Sequence, residues 1–486
     1  MKLEHLLKGL KYESVGDLDI EINHLTIDSR NVRKNTLFIC IEGFKVDGHD
    51  FIEEAYESGA IAFVTSKDVP IPGGVKIFVQ NSRVAMAFIA ENFYNFKREK
   101  VNLIGITGTN GKTSSAFYMH HILMKANKTT GLIGTVDTKI NEEQLKVDFA
   151  TSTTPDSIEL MQILSAMTNR DASNIVMEVT SHALLLHKVE NLEFEVSIFT
   201  NLTRDHLDLH KTMENYRDAK AKLFAQSKVA VINIDDEYGP FMAGICENTF
   251  TYSLHKDSDF KAENLTFTNY GTDFDVVIKG EKHKFNLPVL GKFSVYNALG
   301  VIVAAHVLGV DIDTIKEGIK TLNPVPGRIE KIENNLGINV IIDYAHTPDS
   351  LLSIINTVSE FTKGRVITVF GCGGDRDKTK RPLMGEIASK NSDITIITSD
   401  NPRTEAPYDI LKDIESGTHK KADNSVILIE DREEAIKEAI KFANKLDSII
   451  IAGKGHENYQ IFKDITIDFD DSYIAKKIIK EIEVNL

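Results

Sequence analysis

An apolar run, Val101-Asn-Leu-Ile-Gly-Ile106, leads directly into Thr107-Gly-Thr-Asn-Gly-Lys-Thr113, and a helix-like pattern begins near Ser114. A strand, a glycine-rich loop and a helix in that order commit the surrounding chain to an α/β layer. The loop's backbone N–H groups and the helix N-terminus together cradle anions, Lys112 is placed to neutralise phosphoryl oxygens, and the Thr113 hydroxyl suits Mg²⁺. The spacing departs from the commonest phosphate loop, with Gly105 and Gly108 six and three residues before Gly111. ATP is the phosphate donor that this stretch implies.

The chain has 486 residues, 42% of them hydrophobic and 26% charged, which is enough for two to four domains with real cores. A formal net charge of -15 argues against nucleic acid or anionic membranes as general partners. Cys40, Cys246 and Cys372 have neither zinc-ligand nor disulfide spacing, which fits a reducing cytoplasm. No segment approaches the roughly 20 apolar residues of a membrane span.

Short strands such as Leu25-Thr-Ile-Asp-Ser-Arg30, Thr36–Ile41 and Ala60–Val64 predict a small N-terminal α/β domain over residues 1–98. A helix from about Val84 to Phe96 and the charged segment Lys97–Lys100 then lead to the phosphate-loop strand. Runs such as Ile175–Val179, Val196–Thr200 and Val229–Asn233 alternate with helix-length segments, predicting a doubly wound, mainly parallel central domain over 99–325. Asn323-Pro-Val-Pro-Gly327 interrupts the pattern and is a candidate hinge. Strand and helix alternation resumes in Val340–Asp343, Val366–Phe370, Ile394–Ile397 and Ser448–Ala452, giving a third, Rossmann-like α/β domain over 326–486.

Read as a helix, Tyr216–Phe224 puts Tyr216, Ala219, Lys220, Leu223 and Phe224 on one face. Lys220 thus falls in an apolar stripe, where desolvation would lower its pKa and leave an amine able to take up CO₂ as a metal-binding carbamate. Periodicity alone leaves open a lysine that snorkels to solvent. Thr200–His210 gathers two histidines and two aspartates after a strand, with His206 the preferred Mg²⁺ ligand and Glu178 a matching carboxylate; both segments also read as solvated loops. Gly371–Lys378 and Asp400-Asn-Pro-Arg-Thr404 follow strands at the end of the sheet where open α/β folds bind ligands. Arg376 and Arg403 could clasp carboxylates there, favouring an amino acid whose distal end is acidic or zwitterionic.

The phosphate loop, the Tyr-x-x-Ala-Lys-x-x-Leu-Phe setting of Lys220, Asp400-Asn-Pro-Arg403 and Gly453-Lys-Gly-His-Glu457 together resemble the Mur ligases, and the likeness runs over essentially the whole chain. It implies a carbamylated Lys220 and metal ligation by Thr113, Glu178, His206 and Lys220. Gly108, Thr109, Asn110, Gly111, Lys112, Thr113, Asn297, Arg328, Asp343 and His346 are implied on the ATP side. Ser29 and His49, in Asp28-Ser-Arg30 and Gly43–Asp50, are implied to hold a uridine diphosphate. Thr153 and Thr154 of Thr151-Ser-Thr-Thr-Pro155, with Thr180 and Lys188, would meet a muramoyl dipeptide. Arg376, Asp400, Asn401, Pro402, Arg403, Gly453 and Glu457 would form a meso-diaminopimelate site.

The substrates implied are UDP-N-acetylmuramoyl-L-alanyl-D-glutamate, ATP and meso-diaminopimelate, with Mg²⁺ as cofactor, in a cytoplasmic monomer of peptidoglycan synthesis. Lys112, Glu178, His206 and Lys220 would carry the chemistry. The chain departs from the family where a glutamine and an arginine are usual, having Leu186 and Lys188; Lys188 keeps the charge without the bidentate geometry. Rival readings are the same ligation with L-lysine or another diamino acid, a folylpolyglutamate-type ligase, and a P-loop switch or transport ATPase.

Overall fold

A computed structural model of the protein describes residues 1–43, 46–145, 153–268, 271–278, 280–419 and 425–484. Phe44 and Lys45 of the predicted uridine loop, and Thr151 and Ser152 of the threonine motif, lie outside the described residues.

Three α/β layers follow one another along the chain. The first sheet has the spatial order Glu13–Val15, Val75–Phe78, Ala60–Thr65, Thr36–Ile39, His24–Thr26, all parallel except the first pair. The strand predicted over Leu25–Arg30 stops at Thr26, because the Asp28 carboxylate accepts from Arg30 N–H and turns Ser29–Asn31 into a 3₁₀ turn. The predicted helix begins at Ser82, capped by Asn81.

In the central sheet, Thr249–Ser253, Ser227–Asn233, Phe194–Phe199, Asn102–Thr107, Asn174–Glu178 and Thr130–Ile133 lie parallel in that spatial order. Because such a sheet is covered on both faces, its central strands are mostly apolar, whereas the outer Thr249–Ser253 is not. Leu103, Ile175 and Met177 join the core shared with the first domain, whereas Ile104, Ile106, Val176, Val196 and Ile198 face the opposite one. The phosphate-loop strand is flanked by strands that come later in the chain, so connections leave it to either side and open a crevice at its carboxyl end.

Strands the sequence reading did not find extend both edges: Phe260–Thr268 joins Thr249–Ser253 in parallel and is followed by antiparallel Gly271–Ile278 and Glu281–Leu287, while antiparallel Thr138–Ile140 and Glu143–Gln144 lie on the other side.

The third sheet orders Glu330–Ile332, Asn339–Asp343, Ser448–Ala452, Val366–Phe370, Ile394–Ile397 and Ser425–Leu428, parallel apart from the first. The linker into it is held in place at Gly327, where φ is +66° and a Cβ would lie 2.2 Å from the His456 nitrogen.

Helix Lys112–Lys125 carries a buried His120 whose Nε2 hydrogen-bonds the Thr130 carbonyl at 3.2 Å. Burial, helped by Lys139, pushes this imidazole down to about 4. Between that value and the ordinary histidine pKa the unfolded chain binds the extra proton, so acidification favours unfolding. His120 should cost about 2 kcal/mol of stability between pH 7 and 5. Urea unfolding at the two pH values checks this: the difference should shrink in His120→Gln, and an unchanged difference would refute the assignment.

Candidate active site

The phosphate loop is held by the loop after strand Phe194–Phe199. Asn201 accepts from Asn110 N–H at 2.9 Å and donates its amide to Asn110 O at 3.1 Å, while Thr200 Oγ1 donates to the same carbonyl at 2.6 Å. Thr109 Oγ1 lies 3.2 Å from the Tyr216 hydroxyl. Gly111, at φ +85°, forms the last turn before the helix, and a Cβ there would sit 2.2 Å from Asn297 Oδ1; Asn297 therefore closes over the loop.

Lys112 Nζ is folded back onto the carbonyls of Gly108 and Thr109 at 3.0 and 2.9 Å. Burial lowers its pKa and the Glu178 charge works against that. Thr113 Oγ1 donates to Glu178 Oε2 at 3.0 Å, and Glu178, 1% exposed, also accepts from the Thr135 N–H at 2.8 Å and the Thr135 hydroxyl at 3.2 Å. A hydroxyl and a fixed carboxylate side by side form a hard-oxygen pair suited to Mg²⁺. Among the described residues, no three histidine, cysteine, aspartate or glutamate side chains are grouped to hold a metal unaided.

Lys220 lies on helix Met213–Ala225 with Tyr216, Ala219, Leu223 and Phe224 among its buried residues, and is itself 1% exposed. Its Nζ donates to Gly108 O at 2.8 Å and, at 3.4 Å, to Thr107 Oγ1. Burial, then the Lys112 charge, drives its pKa far below the usual lysine range, against the pull of Asp205. The snorkelling alternative is thereby excluded. His206, with φ +52°, turns its ring toward Asp205 Oδ2 at 3.3 Å and edge-on to His182. The ring is largely exposed at the edge of the crevice, open to a ligand from solvent.

On the side facing the first domain, Thr154 Oγ1 donates to Glu178 O at 2.9 Å and to Thr180 Oγ1 at 3.2 Å, and Thr153 Oγ1 lies 3.0 Å from Thr135 Oγ1. Lys188 is buried, its Nζ 3.3 Å from Thr154 O and 3.4 Å from Asp156 Oδ1. Its charge is thus committed within the protein. Ser29 is buried in its 3₁₀ turn. His49 has both ring nitrogens engaged: Nδ1 lies 2.6 Å from Asp47 Oδ1, and Nε2 accepts from Ser66 N–H at 3.1 Å. The ring thus braces the loop, with both nitrogens already engaged.

Across the linker, Arg328 donates to Thr113 Oγ1 at 3.3 Å and stacks on the Tyr344 ring, while its buried Nε has no partner. Asp343 accepts from the N–H groups of Ile329 and Ala345, both at 2.9 Å, and burial raises its pKa. His346 Nδ1 lies 2.9 Å from Tyr344 O.

Beyond them, the loops after the parallel strands converge. Arg403, at φ +54°, donates to Gly374 O at 2.8 Å, and Gly374 packs against the Pro402 carbonyl. Asn401 Nδ2 donates to Glu457 Oε2 at 2.9 Å. The Asp400 carboxylate is buried beside Gly453. Arg376 is exposed and, among the described residues, bonds only the Asp375 carbonyl, at 3.3 Å.

Two buried arginines hold these loops. Arg381 pairs with Glu405 and Asp413 beneath the Gly373 turn, and Arg432 pairs with Asp471 while donating to Ala452 O and Ser399 O at the two strand ends. Sequence reasoning missed these arginines, together with Thr135 and Asn201, and named Tyr216 only as part of the apolar face of Lys220. For Asn201 a signal existed, a polar residue just after a buried strand.

Comparison with known proteins gives the family. Mur ligase family domains match in series: the "Mur ligase family, catalytic domain" over residues 21–108, the "Mur ligase middle domain" over 106–305 and the "Mur ligase, glutamate ligase domain" over 327–455. The chain is 49% identical, over 99% of its length and all of the relative's, to UDP-N-acetylmuramoyl-L-alanyl-D-glutamate–2,6-diaminopimelate ligase 1 of Clostridium acetobutylicum. It is 46% identical, at the same coverage, to the ligase so named from Clostridioides difficile. A solved structure of a UDP-N-acetylmuramoyl-L-alanyl-D-glutamate–2,6-diaminopimelate ligase matches with TM-score 0.72 and 29% identity over 99% of both chains. The MurF ligase of Thermotoga maritima, solved with ADP, shares the fold at TM-score 0.65 and 18% identity over 95% of this chain and 98% of that one. The chain belongs to the Mur ligase family.

Proposed function

We propose that the protein joins meso-2,6-diaminopimelate to the side-chain carboxylate of the D-glutamate in UDP-N-acetylmuramoyl-L-alanyl-D-glutamate at the expense of ATP, in the cytoplasm. The observation that carries this reading is the junction itself: Thr113 and Glu178 paired at the phosphate loop, Lys220 on the Gly108 carbonyl, and Arg328 reaching from Thr113 to the Tyr344 ring, whose hydroxyl approaches the Glu457 that Asn401 holds. Residues 1–98 would hold the nucleotide sugar, 99–325 the ATP and the acceptor carboxylate, and 326–486 the amino acid.

The γ-phosphoryl group passes to the carboxylate, forming an acyl phosphate and ADP. The neutral amine of the amino acid then attacks the acyl carbon, giving the amide and releasing phosphate and a proton. Lys112, released from the loop carbonyls, turns its ammonium to the transferring oxygens. Thr113, Glu178 and His206 would hold Mg²⁺, which supplies charge neutralisation when bound. The neutral Lys220 amine is suited to adding to CO₂ with loss of a proton, giving an anionic carbamate as a further metal ligand. Asn297, Arg328, Asp343 and His346 would orient the nucleotide, while Arg403 receives the distal carboxylate and Glu457 the distal ammonium.

Phosphate release measured with ATP, Mg²⁺ and the nucleotide-sugar dipeptide tests the reading. It should require meso-diaminopimelate and stay at background with L-lysine or no amino acid. Arg403→Ala should raise KM for diaminopimelate roughly 30-fold, the loss of about 2 kcal/mol from one charged contact. Release with lysine would keep the ligase and overturn the role of Arg403; release without any amino acid would point to another ATPase.

A further inference from the structure

Between two glycines, Lys454 reads in the sequence as a solvated turn. In the structure it is 0% exposed. Its Nζ donates to Asn401 Oδ1 at 3.2 Å and to Glu457 Oε2 at 3.1 Å, and faces the Tyr459 ring. Burying an ammonium is unfavourable by several kcal/mol unless its donors are matched. Here both hydrogen-bond partners belong to the amino-acid pocket, and neither is a core residue.

The three groups form a closed triangle, since Asn401 Nδ2 also donates to Glu457 Oε2 at 2.9 Å. Two donors, Lys454 Nζ and the Ile461 N–H at 3.1 Å, converge on Asn401 Oδ1 and fix which end of the amide faces the glutamate. Glu457 Oε2 is thereby saturated. Among the described residues, Oε1 receives only a long contact of 3.5 Å from the Tyr344 hydroxyl and is the oxygen left for a ligand.

We propose that Lys454 is a positioning residue of the amino-acid site: through Asn401 and Glu457 it presents one carboxylate oxygen to the distal ammonium of the substrate. This rests on the functional reading above. By offsetting the Glu457 charge, it also leaves Arg403 to balance a substrate carboxylate, so the pocket suits a zwitterionic distal end rather than a bare cation.

Steady-state kinetics of the full-length enzyme test this. Lys454→Met should raise KM for meso-diaminopimelate about tenfold or more, while KM for ATP and for the nucleotide sugar and the saturated kcat stay within roughly threefold. Glu457→Gln should act likewise, and the double variant should fall well short of the product of the two single effects, because both act through one pair. If Lys454→Met does not fold, Lys454→Gln, which keeps one donor, should show an intermediate KM. An unchanged KM for diaminopimelate in the folded variant, equal losses toward all three substrates, or multiplicative single effects would overturn the proposal. A wild type that never responds to diaminopimelate overturns the functional reading and this inference together; a normal wild type beside an unaffected variant overturns this inference alone.

Discussion

Lys112→Met is expected to lower ligase turnover about 10³-fold or more, as when a preorganised charge is removed from a water-poor phosphoryl-transfer site. In the structure the ammonium rests on the Gly108 and Thr109 carbonyls, a pairing that a triphosphate can outcompete because it brings full negative charge to the same place. Burial disfavours the charged lysine and Glu178 favours it, so the arriving phosphates should tip the balance further toward the ammonium. The isosteric methionine keeps the stem and removes only the charge. Melting temperature and KM for the amino acid should therefore move little while kcat collapses. Turnover within tenfold of wild type would show that the loop backbone and metal alone carry the transfer.

Lys220→Ala should be comparably severe, by about 10³-fold in kcat if a metal ligand is lost, and it has a distinguishing signature. A carbamate is a carboxylate-like anion on a nitrogen, so short-chain acids such as formate, acetate or propionate should restore part of the activity by entering the space the side chain vacates. Burial lowers the lysine's pKa and so favours the uncharged amine that this chemistry needs. Substitution also strips the Gly108 carbonyl of a donor 2.8 Å away, which alone could disturb the loop. Rescue separates the two effects, since a small acid cannot repair a displaced carbonyl. Phosphate-release assays with and without added acid decide the matter, and full activity without any acid would remove the carbamate from the mechanism.

What could be read from the sequence follows a physical division. The phosphate loop and the Lys220 face are local, because one element sets the geometry, and helix Met213–Ala225 buries the lysine on the predicted stripe. The parallel strands announce themselves as continuous apolar runs. The antiparallel edge strands do not: Glu281–Leu287 opens with four polar residues, two lysines and a histidine among them, and has only Phe285 and Leu287 to bury. Partnerships across the chain were equally hidden. His49 finds Ser66, Glu178 finds Thr135 and Lys188 finds Asp156, and in each case the side chain is already occupied by a residue that spacing gives no reason to suspect. Lys188 is the clearest instance, because a lysine in place of the family's arginine suggested a weaker substrate contact, whereas its ammonium serves an internal pair. The distances that matter most for amino-acid choice, around Asn401, Lys454 and Glu457, arise only when two separate strand ends meet.

The Arg432–Asp471 pair gives the last helix an unexpected standing. Asp471 opens the helix that runs to Val484, and the arginine it neutralises sits under the ends of the strands that lead into Asp400 and Gly453. Breaking a buried pair of this kind costs about 3–5 kcal/mol and leaves an uncompensated charge. The element farthest along the chain from the phosphate loop is thus a foundation of the substrate pocket, and damage to the tail would register first as altered amino-acid recognition.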